Sequence, residues 1–378
     1  MAWKVPLFKI YWDENDLEAV NDVLTSGMYW SSGSKVSDFE NLIKDYLGVK
    51  YCVTFNSGGS ALHALMLAYG YQLGDEIIVP SFTFLGTAYA PLYVGAKPIF
   101  ADIEPDTYGL DPEDVKEKIT SRTKAILPIH YGGAPCKIEA LREIASDHDL
   151  VFLEDAAEAF GAKEGGKLLG TFGDSSIFSF CQNKVFTTAE GGCIVTDNDE
   201  LWRRLGYLVS YGKEKKGDSF TANLGTDYVT LGYSWRLSTI LAALGISQIK
   251  KVEKLIKMRR EKAELYNKHL GGLHQIRVPR DKGESYSVYQ LYTIRLTDEN
   301  YSRNSLQEYL TKKGILSKIY FDPIHEYSIF KNLGYEGIDL PNTDKISSEV
   351  LSLPIYPHMT QDELNYVITS IKEFFEVE

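Results

Sequence analysis

The chain has 378 residues, 44% hydrophobic and 24% charged, a composition ordinary for a soluble globular protein and a length that implies two domains. A formal net charge of −12 argues against a general nucleic-acid or membrane-surface binder, so an anionic substrate would need a locally basic pocket. Cys52, Cys136, Cys181 and Cys193 form no CxxC pair and no metal-type spacing with the seven histidines, so they read as reduced thiols of a cytoplasmic protein without a metal site. Met1 to Phe8 lack the apolar core of a secretory signal, and no apolar run is long enough to span a bilayer.

From Tyr51 onward, short apolar runs alternate with helical patterns. Tyr51–Phe55 reads as a strand, followed by Asn56-Ser57-Gly58-Gly59-Ser60-Ala61 and a helix from about Ser60. Backbone N–H groups at such a helix start, aided by the helix dipole, can hold a phosphate, although Gly-Ser clusters more often mark ordinary turns. Glu76–Val79 is the next strand, and Pro80-Ser81-Phe82-Thr83-Phe84 after it offers an aromatic, Phe84, that could stack on a flat cofactor. Pro98–Ala101, Ala125–Ile129 and Val151–Leu153 continue the rhythm. Strands separated by helices imply crossover units and a mostly parallel sheet.

Val151–Leu153 runs into Glu154-Asp155, placing acids at the carboxyl end of a buried strand, the usual location of a site in such sheets. Ser176–Phe180 and Gly192–Thr196 then read as strands with no room for a helix between them, so this part of the sheet is expected to turn back on itself. Ser179 alternates with Phe178 and Phe180 and points opposite to the two rings. Lys184 lies just beyond. A lysine amine condenses with an aldehyde only where it can shed its proton, and a cofactor with a pyridine ring needs an acid at its ring nitrogen. Taken singly, Lys184 is a surface charge and Asp155 a helix cap; taken together they fit a pyridoxal phosphate site. A helical stretch from about Leu237 to Leu270 links this large unit, residues 1–250, to a smaller C-terminal unit, residues 251–378, and its face of Lys250, Lys251, Lys254, Lys257, Arg259 and Arg260 reads as solvated.

Several motifs, in order, carry a family resemblance: Gly74-Asp75-Glu76-Ile77-Ile78-Val79-Pro80, His130-Tyr131-Gly132-Gly133, Glu154-Asp155-Ala156-Ala157-Glu158-Ala159-Phe160-Gly161, Gly170-Thr171-Phe172-Gly173-Asp174, Lys184, Glu190-Gly191-Gly192, Leu231-Gly232-Tyr233 with Arg236, and Asp322-Pro323-Ile324-His325. Over nearly its whole length the chain resembles the DegT-type sugar aminotransferases. The resemblance implies an α/β protein of the aspartate-aminotransferase-like fold (PLP fold type I), with a large mostly parallel sheet domain and a smaller C-terminal α+β domain. It further implies that Lys184 carries pyridoxal 5'-phosphate as a Schiff base, that Asp155 pairs with the ring nitrogen, and that Glu158 stands near the phenolic oxygen. Phe84 would stack on the ring, Ser179 would contact the phosphate, and His325 would lie near the sugar-nucleotide site.

Two positions depart from the family pattern. Gly58-Gly59 replaces a Gly-Thr phosphate turn, leaving Ser60 or Ser57 to supply the hydroxyl, and Ser234 replaces an asparagine that reaches the phosphate across a homodimer interface. Relatives with histidine in place of the lysine dehydrate their substrates; this chain keeps Lys184, so transamination is expected, with glutamate as donor and a nucleotide-linked keto sugar as acceptor. The pattern is nearest to members that aminate C4 of a GDP-linked 4-keto-6-deoxyhexose. Amination at C3, a keto-cyclitol acceptor, and an inactive cofactor-binding regulator are the alternatives.

Overall fold

The computed structural model describes residues 3–214 and 227–376. Helices α1 (Glu14–Thr25) and α2 (Ser34–Leu47) open the chain, and the alternation then runs β1 (Tyr51–Phe55), α3 (Gly58–Tyr69), β2 (Glu76–Pro80), α4 (Leu85–Tyr93), β3 (Lys97–Ala101), α5 (Pro112–Lys118), β4 (Thr123–Ile126), α6 (Ile138–Asp147) and β5 (Val151–Asp155). A short hairpin, β6 (Lys163–Glu164) and β7 (Lys167–Leu168), leads to β8 (Ser175–Ser179), β9 (Gly192–Thr196) and α7 (Asp199–Leu208). The remainder is α8 (Thr239–Ile249), α9 (Val252–Leu270), β10 (Ile276–Arg277), β11 (Tyr292–Leu296), α10 (Arg303–Lys312), α11 (Ser328–Asn332), α12 (Pro341–Glu349), β12 (Val350–Leu353) and α13 (Gln361–Glu376). Among the described residues no helix is long and apolar enough to cross a membrane.

The large sheet has the order β1-β9-β8-β5-β4-β2-β3. Pairs from β8 through β3 are parallel, and β9 runs antiparallel to both β1 and β8, so the chain reverses where the sequence leaves no room for a crossover helix. Alternation assigns the side chains to two faces. Ile78, Ile126, Phe152 and Phe178 pack with α2, α6 and α8, while Ile77, Val79, Leu153 and Ile177 pack with α3, α4 and α7. The C-terminal unit has an antiparallel sheet, β10-β11-β12, whose core includes Tyr266, Tyr292, Leu306 and Leu364. Val5 joins that core and bridges to Ile315, so the first described residues pack with the last quarter of the chain.

Three boundaries differ from their expected places. Ser57 accepts the Ser60 N–H at 3.0 Å and so starts α3 at Gly58. Pro128 has no N–H to donate, and β4 stops at Ile126. The stretch 237–270 is two helices, because Lys251 leaves helical geometry (φ −111°, ψ 8°). Its ammonium is held there by Asp13 at 2.6 Å and Asp16 at 2.9 Å, and Gln248 donates to the same Asp16 at 2.9 Å.

At the end of β5, Glu154 and Asp155 point to opposite faces. Glu154 is fully buried and accepts from His130 Nε2 (3.0 Å), from the N–H groups of Gly170, Phe172 and Gly173 (2.7 Å each) and from Ser176 Oγ (3.1 Å). Burial pushes its pKa up, but the His130 imidazole and these N–H donors outweigh it and hold the carboxyl below its usual value. Gly170 adopts φ +83° with the Phe178 ring 2.2 Å from where a Cβ would sit, so only glycine lets the loop close on the carboxylate. Burial alone would lower the His130 pKa; Cys136 and Glu154 prevail and push it up to about 10.

Two predictions concern this frame. The folded pKa of His130 lies above its ordinary 6.5, so the pair's stabilisation is complete below about pH 6.5 and is lost as pH rises through about 10. The wild-type melting temperature should therefore fall between neutral pH and pH 10 more steeply than that of the His130→Gln/Glu154→Gln double variant. In α8, a Cβ on Gly245 would lie 2.7 to 2.9 Å from the Phe39 ring. Alanine gains about 1 kcal/mol in helix propensity, whereas overpacking costs about 1–3 kcal/mol, so the melting temperature of Gly245→Ala should be lower than wild type.

Candidate active site

Asp155 is 7% exposed at the carboxyl end of β5. One oxygen accepts from Thr87 Oγ1 at 2.8 Å, the other from the Ala157 N–H at 3.2 Å, and Thr83 Oγ1 lies 2.8 Å from Thr87 Oγ1. Burial pushes the carboxyl up against the opposing pull of these hydrogen bonds and of Lys184. The two threonines were not singled out in the sequence. Thr87 lies in the first turn of α4 and Thr83 just before its cap, so no helical spacing marked the pair in advance.

Lys184 sits in a turn closed by its own N–H on Cys181 O at 3.0 Å. Its Nζ is 3.4 Å from Glu158 Oε1, and the two side chains are only 14% and 13% exposed. The other Glu158 oxygen accepts the Gly132 N–H at 2.9 Å. Gly132 and Gly133 have φ of +62° and +85°, and a Cβ on Gly133 would meet Glu158 O at 2.8 Å, so the His130-Tyr131-Gly132-Gly133 motif is a tight turn that holds the acid beside the lysine.

At the start of α3, Gly58 packs on Ser179, with a Cβ at Gly58 only 3.1 Å from the Ser179 Cβ, and a Cβ on Gly192 would be 2.7 Å from the Gly58 backbone. This close seating of Gly58, Ser179 and Gly192 places the helix start against the end of β8. Ser57 and Ser60 hydroxyls lie 2.9 Å apart, and Ser60 donates to Asn56 Oδ1 at 2.7 Å, so both belong to the capping network. Gly59 has space: a Cβ there meets only Ser57 Oγ, at 3.8 Å.

Phe84 immediately precedes α4 and is 68% exposed, a large ring left uncovered at the same end of the sheet. Ser234 lies in an exposed strand-like segment bridged to Ser210, where Arg236 donates to Ser210 Oγ (3.0 Å) and Ser234 Oγ (3.4 Å). His325 is placed differently from the expectation of a sugar-nucleotide contact. Its ring is 1% exposed, Nδ1 lies 2.7 Å from Ser81 Oγ, and its N–H donates to the same oxygen at 3.1 Å, so it seats the C-terminal unit on the end of β2 instead of facing open space.

A sheltered lysine, a buried acid, an uncovered ring and a glycine-seated helix start are what pyridoxal phosphate requires of a protein. The family model described as the DegT/DnrJ/EryC1/StrS aminotransferase family matches residues 11–372. GDP-perosamine synthase of Vibrio cholerae is 34% identical over 98% of this chain and 99% of its own, and that of Escherichia coli O157:H7 is 33% identical over 98% of each. Helicobacter pylori PseC, an aminotransferase involved in the biosynthesis of pseudoaminic acid, superposes with TM-score 0.93 at 30% identity over 99% of this chain and 100% of its own. A sugar aminotransferase described as putative, Spr1654 of Streptococcus pneumoniae, solved in a PLP form, gives TM-score 0.90 at 26% identity over 100% of this chain and 98% of its own. The chain belongs to the DegT/DnrJ/EryC1/StrS aminotransferase family and is a pyridoxal-phosphate-dependent sugar aminotransferase.

Proposed function

We propose that the protein transfers the amino group of glutamate to C4 of a GDP-linked 4-keto-6-deoxyhexose. The observation that carries the chemistry is the placement of Lys184 Nζ 3.4 Å from Glu158 in a sheltered turn, with the buried Asp155 nearby. The acceptor rests on the GDP-perosamine synthases at 34% and 33% identity. When bound, the cofactor supplies an electron sink that lets a proton leave the carbon bearing the nitrogen.

Each residue then has a task of its own. Lys184 Nζ is the group that would hold the cofactor through its aldehyde, and it would move the proton at the donor's α-carbon and, in the second half, at C4 of the sugar. Glu158 orients that amine, itself fixed by Gly132. Asp155 would pair with the ring nitrogen, with Thr87 donating to one oxygen of its carboxylate. Gly58, Gly59, Ser60 and Ser179 would hold the phosphate, Phe84 would cover the ring face, and in a homodimer Ser234 would complete the phosphate pocket of the partner subunit. His325 acts through Ser81 on the end of β2, as a positioning residue.

One other reading has a specific observation in its favour. A protein called pleiotropic regulatory protein in Geobacillus stearothermophilus is 33% identical over 95% of this chain and 94% of its own, and Gly59 and Ser234 both depart from the family's phosphate contacts. Intact Lys184 and Asp155 oppose an inactive regulator.

The test is to add glutamate to the cofactor-loaded protein and follow the visible band, then to add GDP-, UDP- and dTDP-linked 4-keto-6-deoxyhexoses. Glutamate should bleach the band and the GDP-linked sugar should restore it; failure of every donor to bleach it would favour the regulator. Lys184→Ala should slow both halves by about 10²–10⁴-fold. Restoring the family hydroxyl in Gly59→Thr should tighten cofactor binding by roughly two- to twelve-fold, one neutral hydrogen bond being worth about 0.5–1.5 kcal/mol, as read by equilibrium titration of the apoprotein.

A further inference from the structure

A cavity of about 420 Å³ lies beside the amino-transfer site, between the loops after β3 and β4 and the 276–293 segment of the C-terminal unit. That volume is within the range of small-molecule sites, about 300–1,000 Å³. Tyr108, Tyr131, Tyr289, Leu291 and Val278 are among the residues that line it.

The rim is cationic in a chain of net charge −12. Arg277 and Lys282 share one carboxylate, each 2.7 Å from Asp106 Oδ1, and together, Lys282 foremost, they hold that acid down at about 2. Arg280 is exposed and makes no ion pair among the described residues, while the remaining acid, Asp281, is engaged by Arg260 at 2.8 Å. Three cations therefore face one available carboxylate. Two of the wall tyrosines also stand in the left-handed region, Tyr108 at φ 61° and Tyr289 at φ 47°, a conformation uncommon for bulky residues and concentrated at functional sites.

We propose that this cavity binds a nucleoside phosphate, with the base among the tyrosine rings and the phosphate on Arg280 and Arg277. A lining rich in tyrosines suits a flat base better than an acyl chain, and a guanidinium pair suits phosphate. The site is separate from the lysine but shares a wall with it. Tyr131 and Gly132 line the cavity, Gly132 N–H holds Glu158, and Leu291 N–H and Val288 N–H fasten to the carbonyls of Gly132 and Gly133 at 3.1 and 3.0 Å. An occupant thus rests on the turn that orients Glu158 beside Lys184.

Calorimetric titration of the cofactor-loaded protein with GMP, UMP and dTMP, beside guanosine and inorganic phosphate, tests the assignment. At least one nucleotide should bind wild type and Lys184→Ala alike, more tightly than inorganic phosphate or guanosine, and Arg280→Glu should weaken it about tenfold or more. That nucleotide at saturation should change the rate at which glutamate bleaches the cofactor band in wild type and leave Arg280→Glu unchanged. Absence of binding by all three nucleotides, equal binding of inorganic phosphate, or loss of binding in Lys184→Ala with none in Arg280→Glu would overturn it. Arg280→Glu lies on the rim, so the glutamate half-reaction without nucleotide separates a failed cavity from a failed aminotransferase reading.

Discussion

A carboxylate with no access to water is costly unless every oxygen is met, and Glu154 is met by five donors from three parts of the chain. The requirement runs outward from there. Three N–H groups of the 170–173 loop must converge on it, which demands a left-handed Gly170; Ser176 ties the start of β8; His130 ties the turn after β4. Because strand side chains alternate, fixing Glu154 on one face fixes Asp155 on the other. The acid proposed to meet the cofactor is therefore positioned by a buried acid on the opposite face.

The C-terminal unit is attached to this frame by polar groups at the ends of strands. Asp102, after β3, accepts from the N–H groups of Asn342 and Thr343 and from the Thr343 hydroxyl at 2.8 to 2.9 Å, capping α12 from the other unit. Ser81, after β2, takes His325. Arg259, expected on a solvated face, is buried and has no carboxylate partner among the described residues, and burial lowers its pKa to about 10; it donates instead to the carbonyls of Tyr289, Gln290 and Ile355 at 3.3 to 3.4 Å. Gln290 in turn donates to Asn183 O at 2.6 Å, next to the lysine. The turn bearing Lys184 is thus tied to the C-terminal part of the chain.

This arrangement explains which residues could be read in advance. The strands were legible because buried runs such as Val151–Leu153 are apolar throughout, and the reversal at β9 was legible because too few residues separate it from β8 to hold a helix. Lys184, Asp155 and the Gly58 turn could be singled out because they follow strands in a family's order. Thr83 and Thr87 could not, since hydroxyls near a helix start ordinarily serve as caps, and only the fold brings one of them onto Asp155. His325 was read by its neighbours in sequence, yet its environment comes from Ser81, 244 residues away. The break at Lys251 was hidden for the same reason: Lys250 to Arg260 has a sound helical pattern, and the acids that hold Lys251 lie at the other end of the chain.

By itself the sequence determined the fold class and the order of elements, because these follow from apolar periodicity, and it singled out the lysine and its acid as candidates, because those residue types have few substitutes. Only the tertiary structure decided which groups aim them: Glu154 holding Asp155 in place, Gly132 holding Glu158, Gly192 and Ser179 seating Gly58, and the cationic cavity behind the 131–133 turn. Such contacts join residues far apart along the chain, and their energies depend on burial and direction, which no local pattern encodes.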